Sequence, residues 1–436
     1  MVQPQLNKDN VVVRPRTNMR WFALLFLLVG GIINYFDRVN LSYAAPGMKS
    51  ELHLNNTDIG LMLSVFSWIY AFGQLPSGWL IDRFGGKKIY SFAVFGWSIA
   101  TFFTGACSKM ATFLSLRVLL GITEAPCFPT SAKITATWFP KKERSLATGI
   151  WDSSSKWGPF IAPAILVPVL GAYGWRSLFY VTGALGIIFI LIFMVFYRNP
   201  GKSRRISKEE LDYLQADGGG VEENIQTSSI SWGALFKYRA MWGMILGFFC
   251  TIWIWNIFLL FLPSFLLKVY HVSLAGLGIY SSIPWFGGIV GDIILGGYLA
   301  KKLVDKGVAS SLNAKRRLIV IYAILAGITV ILVPLVHSLG LAILLMTIAL
   351  ACISAITGNA WAMPGDVAPQ SMVASVGAIQ NFGGYFGGAF SPVIAGMIAD
   401  ATGSYTLAFI SGGIIAALAA VCYGIIVKKP IGEKVS

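Results

Sequence analysis

Charge is scarce in this sequence. Only 12% of the 436 residues are Asp, Glu, Lys or Arg, whereas 56% are hydrophobic, and the mean hydropathy is +0.69. A soluble domain carries roughly 25% charged residues, so this chain has too little polar surface to cover a soluble globule of its size. The composition therefore excludes a soluble enzyme, and the lack of low-complexity tracts or a Gly-X-Y period excludes a disordered or collagen-like chain.

Histidine and cysteine are scarce too, and their spacing carries no metal or disulfide pattern. The five cysteines are scattered through apolar stretches and are expected to be small buried hydrophobes. The three histidines fall in predicted loops, so we expect neither a metal nor a cofactor in the apolar core. No cleavable signal peptide is expected, because the first apolar stretch is long and carries Asp37 and Arg38.

Long apolar runs are abundant instead. A bilayer core of ~30 Å needs about 20 apolar residues per helix. The sequence predicts an all-α membrane protein with twelve spans, at 22–44, 57–80, 89–107, 112–136, 146–171, 177–197, 241–267, 277–300, 318–336, 341–364, 373–398 and 406–427.

The positive charge is distributed unevenly between the predicted loops. The chain has 34 Lys and Arg against 19 Asp and Glu, a net charge of +15. With the amino terminus inside, 26 basic residues lie in the predicted cytoplasmic segments and 4 on the other side. Cytoplasmic loops are enriched in Lys and Arg, so both termini are predicted to be cytoplasmic. The excess of basic residues is thus explained by the membrane topology. The lipid bilayer is an expected partner, and a nucleic acid is not.

A polar connector divides the spans into six and six. We predict a cytoplasmic tail at 1–21, an amino-terminal bundle at 22–197, a cytoplasmic linker at 198–240, a carboxyl-terminal bundle at 241–427 and a tail at 428–436. Within the linker, Ser207 and Glu210 form a capping box that predicts a short helix. Short echoes, such as Gly78 with Gly297, favour an internal duplication, a plan that many secondary transporters share.

Four charged residues interrupt predicted spans one and four. An ionisable group at the bilayer centre costs at least ~2.5 kcal/mol on insertion scales. We therefore expect a functional or structural role for the four charged residues, which are Asp37, Arg38, Arg117 and Glu124. One reading is a water-accessible site in which arginine binds a carboxylate and an acid carries a proton. The other is a pair of structural ion pairs, Asp37 with Arg38 and Arg117 with Glu124.

Three further groups lie in spans. Asp152 and Lys156 are four residues apart and are interpreted as a salt bridge within one helix; the alternative is that Lys156 supplies a positive charge for a second substrate carboxylate. Lys133 is expected to snorkel to the cytoplasmic interface, and Asp292 has no assigned role. The carboxyl half supplies aromatic and amide groups suited to hydroxylated ligands, namely Trp253, Trp255, Asn256, Asn359, Trp361, Asn381 and Tyr385.

The segment after span two carries a family motif. The run 78–88, GWLIDRFGGKK, resembles the G-x-L-x-D-R-x-G-R-K loop of the major facilitator superfamily, with Gly86 in place of the usual arginine. A second run, from 121 to 144, together with 34–41 (NYFDRVNL), resembles the anion:cation symporter family within it, close to hexonate and hexuronate permeases. The resemblance implies a conformational latch on the cytoplasmic side, formed by Gly78, Asp82, Arg83, Gly85, Lys87, Glu143 and Arg144.

The same resemblance implies roles for residues in the membrane. Galactonate-type members carry protons on residues that match Asp37 and Glu124. The residues at positions of their substrate pocket are Tyr35, Arg38, Tyr70, Arg117, Ser155, Trp361 and Asn381. Lys156 is added to the predicted pocket because of its charge and not through the resemblance. Ser155 replaces a glutamine of the galactonate permeases, and Gly358 and Ala360 replace hydroxyl residues, so the wall that recognises the polyol differs here.

We therefore predict a monomeric, proton-coupled symporter that takes up a small organic anion, a hexonate, hexuronate or aldarate, through a bacterial inner membrane by alternating access. The alternative is a proton-linked exporter of drugs or metabolites. A membrane-embedded enzyme is not expected, because the spans contain no histidine. A receptor-like sensor has no soluble signalling domain to support it.

Overall fold

The computed structural model describes residues 17–54, 56–220, 232–272, 274–391 and 406–431, together with 394 and 398. All regular structure in these residues is helical. The ends of both predicted tails, the centre of the linker (221–231) and the loop before the last helix lie outside the described residues.

The helices follow the predicted spans in order. They are α1 (Met19–Leu52), α2 (Asn56–Phe84), α3 (Gly86–Thr104), α4 (Met110–Glu124), α5 (Cys127–Trp138), α6 (Lys141–Asp152), α7 (Ser154–Tyr173), α8 (Trp175–Phe196), α9 (Lys208–Gln215), α10 (Arg239–Val269), α11 (Leu274–Val290), α12 (Leu299–Asp305), α13 (Ser311–Leu332), α14 (Leu339–Ala362), α15 (Pro364–Val367), α16 (Val373–Gly388) and α17 (Thr406–Val421). We refer to α1–α8 as the amino half and to α10–α17 as the carboxyl half.

Most of these helices are long and apolar enough to cross a membrane. Eight described segments meet that criterion by length and composition. The pair Lys141–Ala162 and Ala164–Tyr173, whose two parts are bent by 41°, makes a ninth. Helices α2, α3 and α16 occupy the three other predicted spans. The prediction of an all-helical membrane protein is confirmed.

Three spans are interrupted, which periodicity alone did not predict. Span four breaks between α4 and α5 at Pro126, whose missing N–H and bulky ring cannot continue a helix. Span five divides at Ser153 into α6 and α7. Span eight turns from α11 into a π-helical segment, Gly291–Tyr298, before α12. Such π segments are often found at functional sites, and this one contains Asp292.

The two halves meet along two equivalent pairs of helices. Helix α2 packs against α16, and α6 packs against the π segment. A Cβ atom on Gly78 would lie 2.8 Å from the Ser375 Cα, and one on Gly297 would lie 2.9 Å from the Leu146 Cα. Both interfaces therefore need glycine at the matching position, as expected for a duplicated fold.

The linker helix α9 docks on the amino half. Its first turn is capped as the sequence predicts, since the Ser207 side chain accepts a hydrogen bond from the Glu210 backbone N–H at 3.1 Å. The Glu210 carboxylate in turn accepts from the N–H groups of Met19 and Arg20 at the start of α1. One glutamate thus ties the linker to the first span.

Candidate functional site

A small cavity lies between the two halves. Its wall is formed by Tyr35, Phe128, Asp152, Ser155, Lys156, Phe248, Ile252, Trp255, Thr357, Trp361, Asn381 and Tyr385. Five of the eight residues predicted for the substrate pocket are among them: Tyr35, Ser155, Lys156, Trp361 and Asn381. The other three, Arg38, Tyr70 and Arg117, are not part of the wall.

Arg38 lies directly behind this wall and pairs with Glu124. Its Nε is 2.9 Å from the Glu124 Oε2, and the Glu124 side chain is fully buried. The guanidinium also lies over the Tyr70 and Tyr35 rings, at 4.4 and 5.0 Å. The alternative pairing suggested by the sequence, Arg117 with Glu124, is wrong: in the described part of the chain no ion pair within 4.0 Å joins those two.

Asp37 and Arg117 are buried without close ionic partners. Asp37 is 1% exposed and Arg117 is 4% exposed. The hydroxyls of Thr101 and Thr182 lie near the Asp37 carboxyl, although among the described residues no donor reaches hydrogen-bond geometry with its oxygens. The pairing of Asp37 with its neighbour Arg38 is therefore also wrong. Asp37, Arg117 and Glu124 form an acid–base cluster whose charges interact without direct contact between Arg117 and either acid.

Polar contacts cross from the amino half to the carboxyl half beside Arg38. Its Nη1 donates to the Tyr385 hydroxyl at 3.4 Å, and the Tyr385 and Tyr70 rings lie 4.9 Å apart, edge to face. The Asn381 amide donates to the Gln74 side-chain oxygen at 2.8 Å. A movement that separates the halves would break these contacts at the cavity.

Trp361 packs against three aromatic neighbours. Its ring centroid lies 5.6 Å from those of Phe128 and Phe248 and 5.9 Å from that of Trp151. Edge-to-face and tilted pairs of this kind fix ring orientation. The cavity thus has an aromatic floor.

Three charged residues form a buried triad on the opposite wall. The Lys156 Nζ is 3.1 Å from the Asp152 Oδ2 and 2.6 Å from the Asp292 Oδ2, and all three side chains are at most 3% exposed. The predicted salt bridge between Asp152 and Lys156 is confirmed, although it joins the end of α6 to α7 across the break at Ser153. Asp292 extends it across the interface. Lys156 therefore does not present a free positive charge to the cavity.

The latch predicted from the motif is centred on Asp82. Its carboxylate accepts hydrogen bonds from the backbone N–H groups of Ala374 and Ser375 at 3.3 and 2.8 Å. These groups belong to the first turn of α16, where N–H groups have no partner within the helix. The Lys133 Nζ lies 3.1 Å from the Asp82 Oδ1, so this lysine is part of the latch.

Arg144 crosses the same interface, because its Nη1 donates to the Gly365 carbonyl. Gly78 permits the close packing against α16, and Gly85, at φ +89°, makes the sharp turn into α3. The other predicted latch residues stay within the amino half. Lys87 donates to the Met194 and Tyr197 carbonyls at the end of α8, Glu143 pairs with Arg20, and Arg83 stacks on Trp79.

Sequence reasoning missed several wall residues. Thr357 and Ile252 gave no signal, since both resemble ordinary residues of apolar helices. Asp292, which lies behind the wall, carried a signal as an isolated acid in an apolar span. Its partner was not visible because Lys156 lies more than a hundred residues away in the sequence.

Comparison with known proteins decides the family. The family model described as Major Facilitator Superfamily matches residues 27–392. The chain belongs to this superfamily. It is 34% identical to a probable L-galactonate transporter of Escherichia coli over 94% of this chain and 90% of that protein. It is 30% identical to a probable galactarate/D-glucarate transporter of the same species, over 95% of both chains.

A solved structure agrees in fold. The proton:xylose symporter XylE, bound to 6-bromo-6-deoxy-D-glucose, superposes with a TM-score of 0.75 over 94% of this chain and 96% of that chain, at 15% identity. The protein is a multi-pass membrane transporter with the twelve-helix fold of its superfamily, and it is not an enzyme.

Proposed function

We propose that this transporter takes up a sugar acid together with protons, by alternating access, across a bacterial inner membrane with both termini in the cytoplasm. The observation that carries the proposal is the buried Arg38–Glu124 pair behind a cavity wall rich in hydroxyl, amide and aromatic groups. Relatives named as transporters of galactonate, galactarate and glucarate support this substrate class.

The residues around the cavity suit both the carboxylate end and the hydroxylated chain of a sugar acid. Arg38 is the positive group nearest the tyrosine side of the wall, and guanidinium binds carboxylate through two parallel hydrogen bonds. Ser155, Thr357 and Asn381 offer donors and acceptors for hydroxyls, while Trp361 supports the carbon skeleton. We therefore expect the carboxylate to bind on the Arg38 side.

Proton coupling follows from competition for Arg38. An ionised Glu124 occupies the Nε side of the guanidinium, so a substrate carboxylate competes with it. Protonation of Glu124 weakens that pair and frees Arg38 for the substrate. If Asp37 takes up a second proton, a monoanion enters with a net charge of +1, and the membrane potential contributes ~2.3 kcal/mol per 100 mV.

The decisive variant is Glu124→Gln, which imitates the protonated acid. In proteoliposomes loaded with galactonate, glucarate or galactarate, we expect it to exchange labelled substrate at a rate close to that of the wild type. It should fail to accumulate substrate when a pH gradient is imposed, because the residue no longer exchanges a proton.

The matched control is Glu51→Gln. Glu51 is an exposed acid at the carboxyl end of α1 and pairs with Arg176. This variant should both exchange and accumulate substrate. Accumulation driven by pH in Glu124→Gln would contradict the coupling role. Efflux driven by an inward proton gradient in the wild type would instead identify an exporter.

A further inference from the structure

We propose that Asp152, Lys156 and Asp292 form an additional proton-binding site, separate from the Glu124 cluster, and that the cavity accepts an anion only when this site is protonated. The second clause rests on the function proposed above, whereas the first does not. The triad joins the halves, since Asp152 and Lys156 lie on α6 and α7 and Asp292 lies on the π segment of span eight.

The charge of the triad does not balance. Two carboxylates share one ammonium group, so the fully ionised triad carries a net charge of −1 in a site where every member is at most 3% exposed. Helices α11 and α14, which pack around the π segment, contain no Asp, Glu, Lys or Arg. Burying one uncompensated charge is costly, and a bound proton removes it.

The hydrogen-bond partners indicate which acid takes the proton. The Asp152 Oδ2 has two donors, Lys156 and the Thr357 hydroxyl at 2.9 Å. The Asp292 Oδ2 lies 2.6 Å from the same ammonium group, but within the described residues neither Asp292 oxygen has a partner in hydrogen-bond geometry. A Cβ atom on Gly358 would lie 3.2 Å from the Asp292 Oδ1. Asp292 is therefore the less stabilised anion and the one that holds the proton.

The groups around the triad define its electrostatic surroundings. The charged groups that act on Asp292 are Lys156 and Asp152, and the Asp152 charge also acts on the Tyr35 hydroxyl on α1. On α12, Lys301 pairs with Asp305 and Lys302 lies over Tyr298. The Trp255 ring lies 4.9 Å from the Lys156 Nζ and shields it on the cavity side.

Protonation of Asp292 changes what the cavity offers a ligand. Asp152 and Lys156 form part of the wall, whereas Asp292 lies behind them. With both acids ionised, the wall repels an incoming carboxylate. With Asp292 neutral, the triad has no net charge and Lys156 shares its ammonium group with only one anion. The residues of span five that line the cavity would thus contribute to proton coupling as well as to recognition of substrate hydroxyls.

The first test needs no substrate. Infrared difference spectra of the reconstituted protein between acidic and alkaline buffer report the C=O stretch of protonated carboxyl groups. We expect one titrating band of the wild type to be missing in Asp292→Asn and retained in Glu124→Gln. The control Asp305→Asn, an exposed acid at the end of the same span, should also retain it.

A second variant covers the case in which Asp292→Asn does not fold. Lys156→Met leaves the two carboxylates without their cation, so the band should persist to higher pH. An unchanged band in Asp292→Asn, or an unshifted band in Lys156→Met, would overturn the proposed site.

The second test measures linkage with galactonate as the probe. If one triad proton accompanies binding, Asp292→Asn should lower the slope of log Kd against pH by about one, and each substrate should enter with one proton fewer. An unchanged slope would overturn the requirement for protonation. If the wild type binds none of the sugar acids, the proposed function fails, while the infrared test still decides the site.

Discussion

Arg38 contacts three chemically different groups. Its guanidinium pairs with the Glu124 carboxylate, lies over the Tyr70 and Tyr35 rings, and donates to the Tyr385 hydroxyl. A planar, delocalised cation is suited to this combination, because it stacks on rings through its face and donates hydrogen bonds from its edge. The position therefore demands arginine, and not positive charge alone.

Replacing Arg38 with lysine should expose this difference. Lys keeps the charge but loses the planar fork, so we expect the affinity for galactonate to fall by tenfold or more, given ~1.5–3 kcal/mol for a hydrogen bond to a charged group. Equilibrium binding to the purified protein measures the effect. Arg204→Lys, at an exposed linker position, serves as the control, and wild-type affinity in Arg38→Lys would contradict the stacked geometry.

At the level of helices, the first turn of α16 is capped by another helix. The residue before it, Met372, has no side-chain acceptor for the N–H groups of the first turn. Asp82 on α2 supplies that acceptor from the opposite half of the protein. The same contact with Asp82 therefore caps α16 and closes the interface between the halves. It breaks whenever α2 and α16 separate.

Asp82→Ala should therefore favour opening on this side. Loss of a capping side chain costs ~0.5–2 kcal/mol, and Lys133 also loses its partner. Spin labels at Phe84 and Ser371 should report a larger population of long distances by pulsed electron resonance. Asp82→Asn, which can still accept one hydrogen bond, should be intermediate. Identical distance distributions in all three proteins would contradict the latch.

At the scale of the whole molecule, the linker stabilises the fold as well as joining the two halves. Glu210 is fully buried and accepts four hydrogen bonds, from Thr17, Met19 and twice from Arg20. Arg20 also pairs with Glu143, whose second oxygen accepts from the Tyr213 hydroxyl at 2.8 Å. Burial and the neighbouring Glu143 raise the pKa of Tyr213, which therefore stays protonated as a donor.

Glu210→Ala should loosen this attachment. It leaves the first N–H groups of α1 and part of Arg20 without acceptors, and each buried unsatisfied group costs ~1–3 kcal/mol. We expect a clear fall in the melting temperature of the detergent-solubilised protein. Asp212→Ala, on the exposed side of the same helix, should change it little, and equal effects of both substitutions would contradict the docking role.

The sequence by itself determined the membrane class, most of the helical spans and many of the residues that line the cavity. Apolar runs and isolated charges are local properties, and a bilayer penalises polar groups strongly enough for composition to reveal them. The cap at Ser207 was also predictable, because its partners are three residues apart. The motif at 78–88 predicted Asp82 as a latch residue without indicating that it caps α16.

Only the tertiary structure decided how the charges pair. Sequence proximity suggested Asp37 with Arg38 and Arg117 with Glu124, yet Arg38 pairs with Glu124 from another helix. Lys156 meets Asp292 from the opposite half of the molecule. These choices depend on which helix faces meet, which is set by packing between glycine-lined interfaces and by breaks at Pro126 and the π segment. Coulomb energy in a dry interior falls with distance in space, not along the chain, so only the folded arrangement fixes the partners.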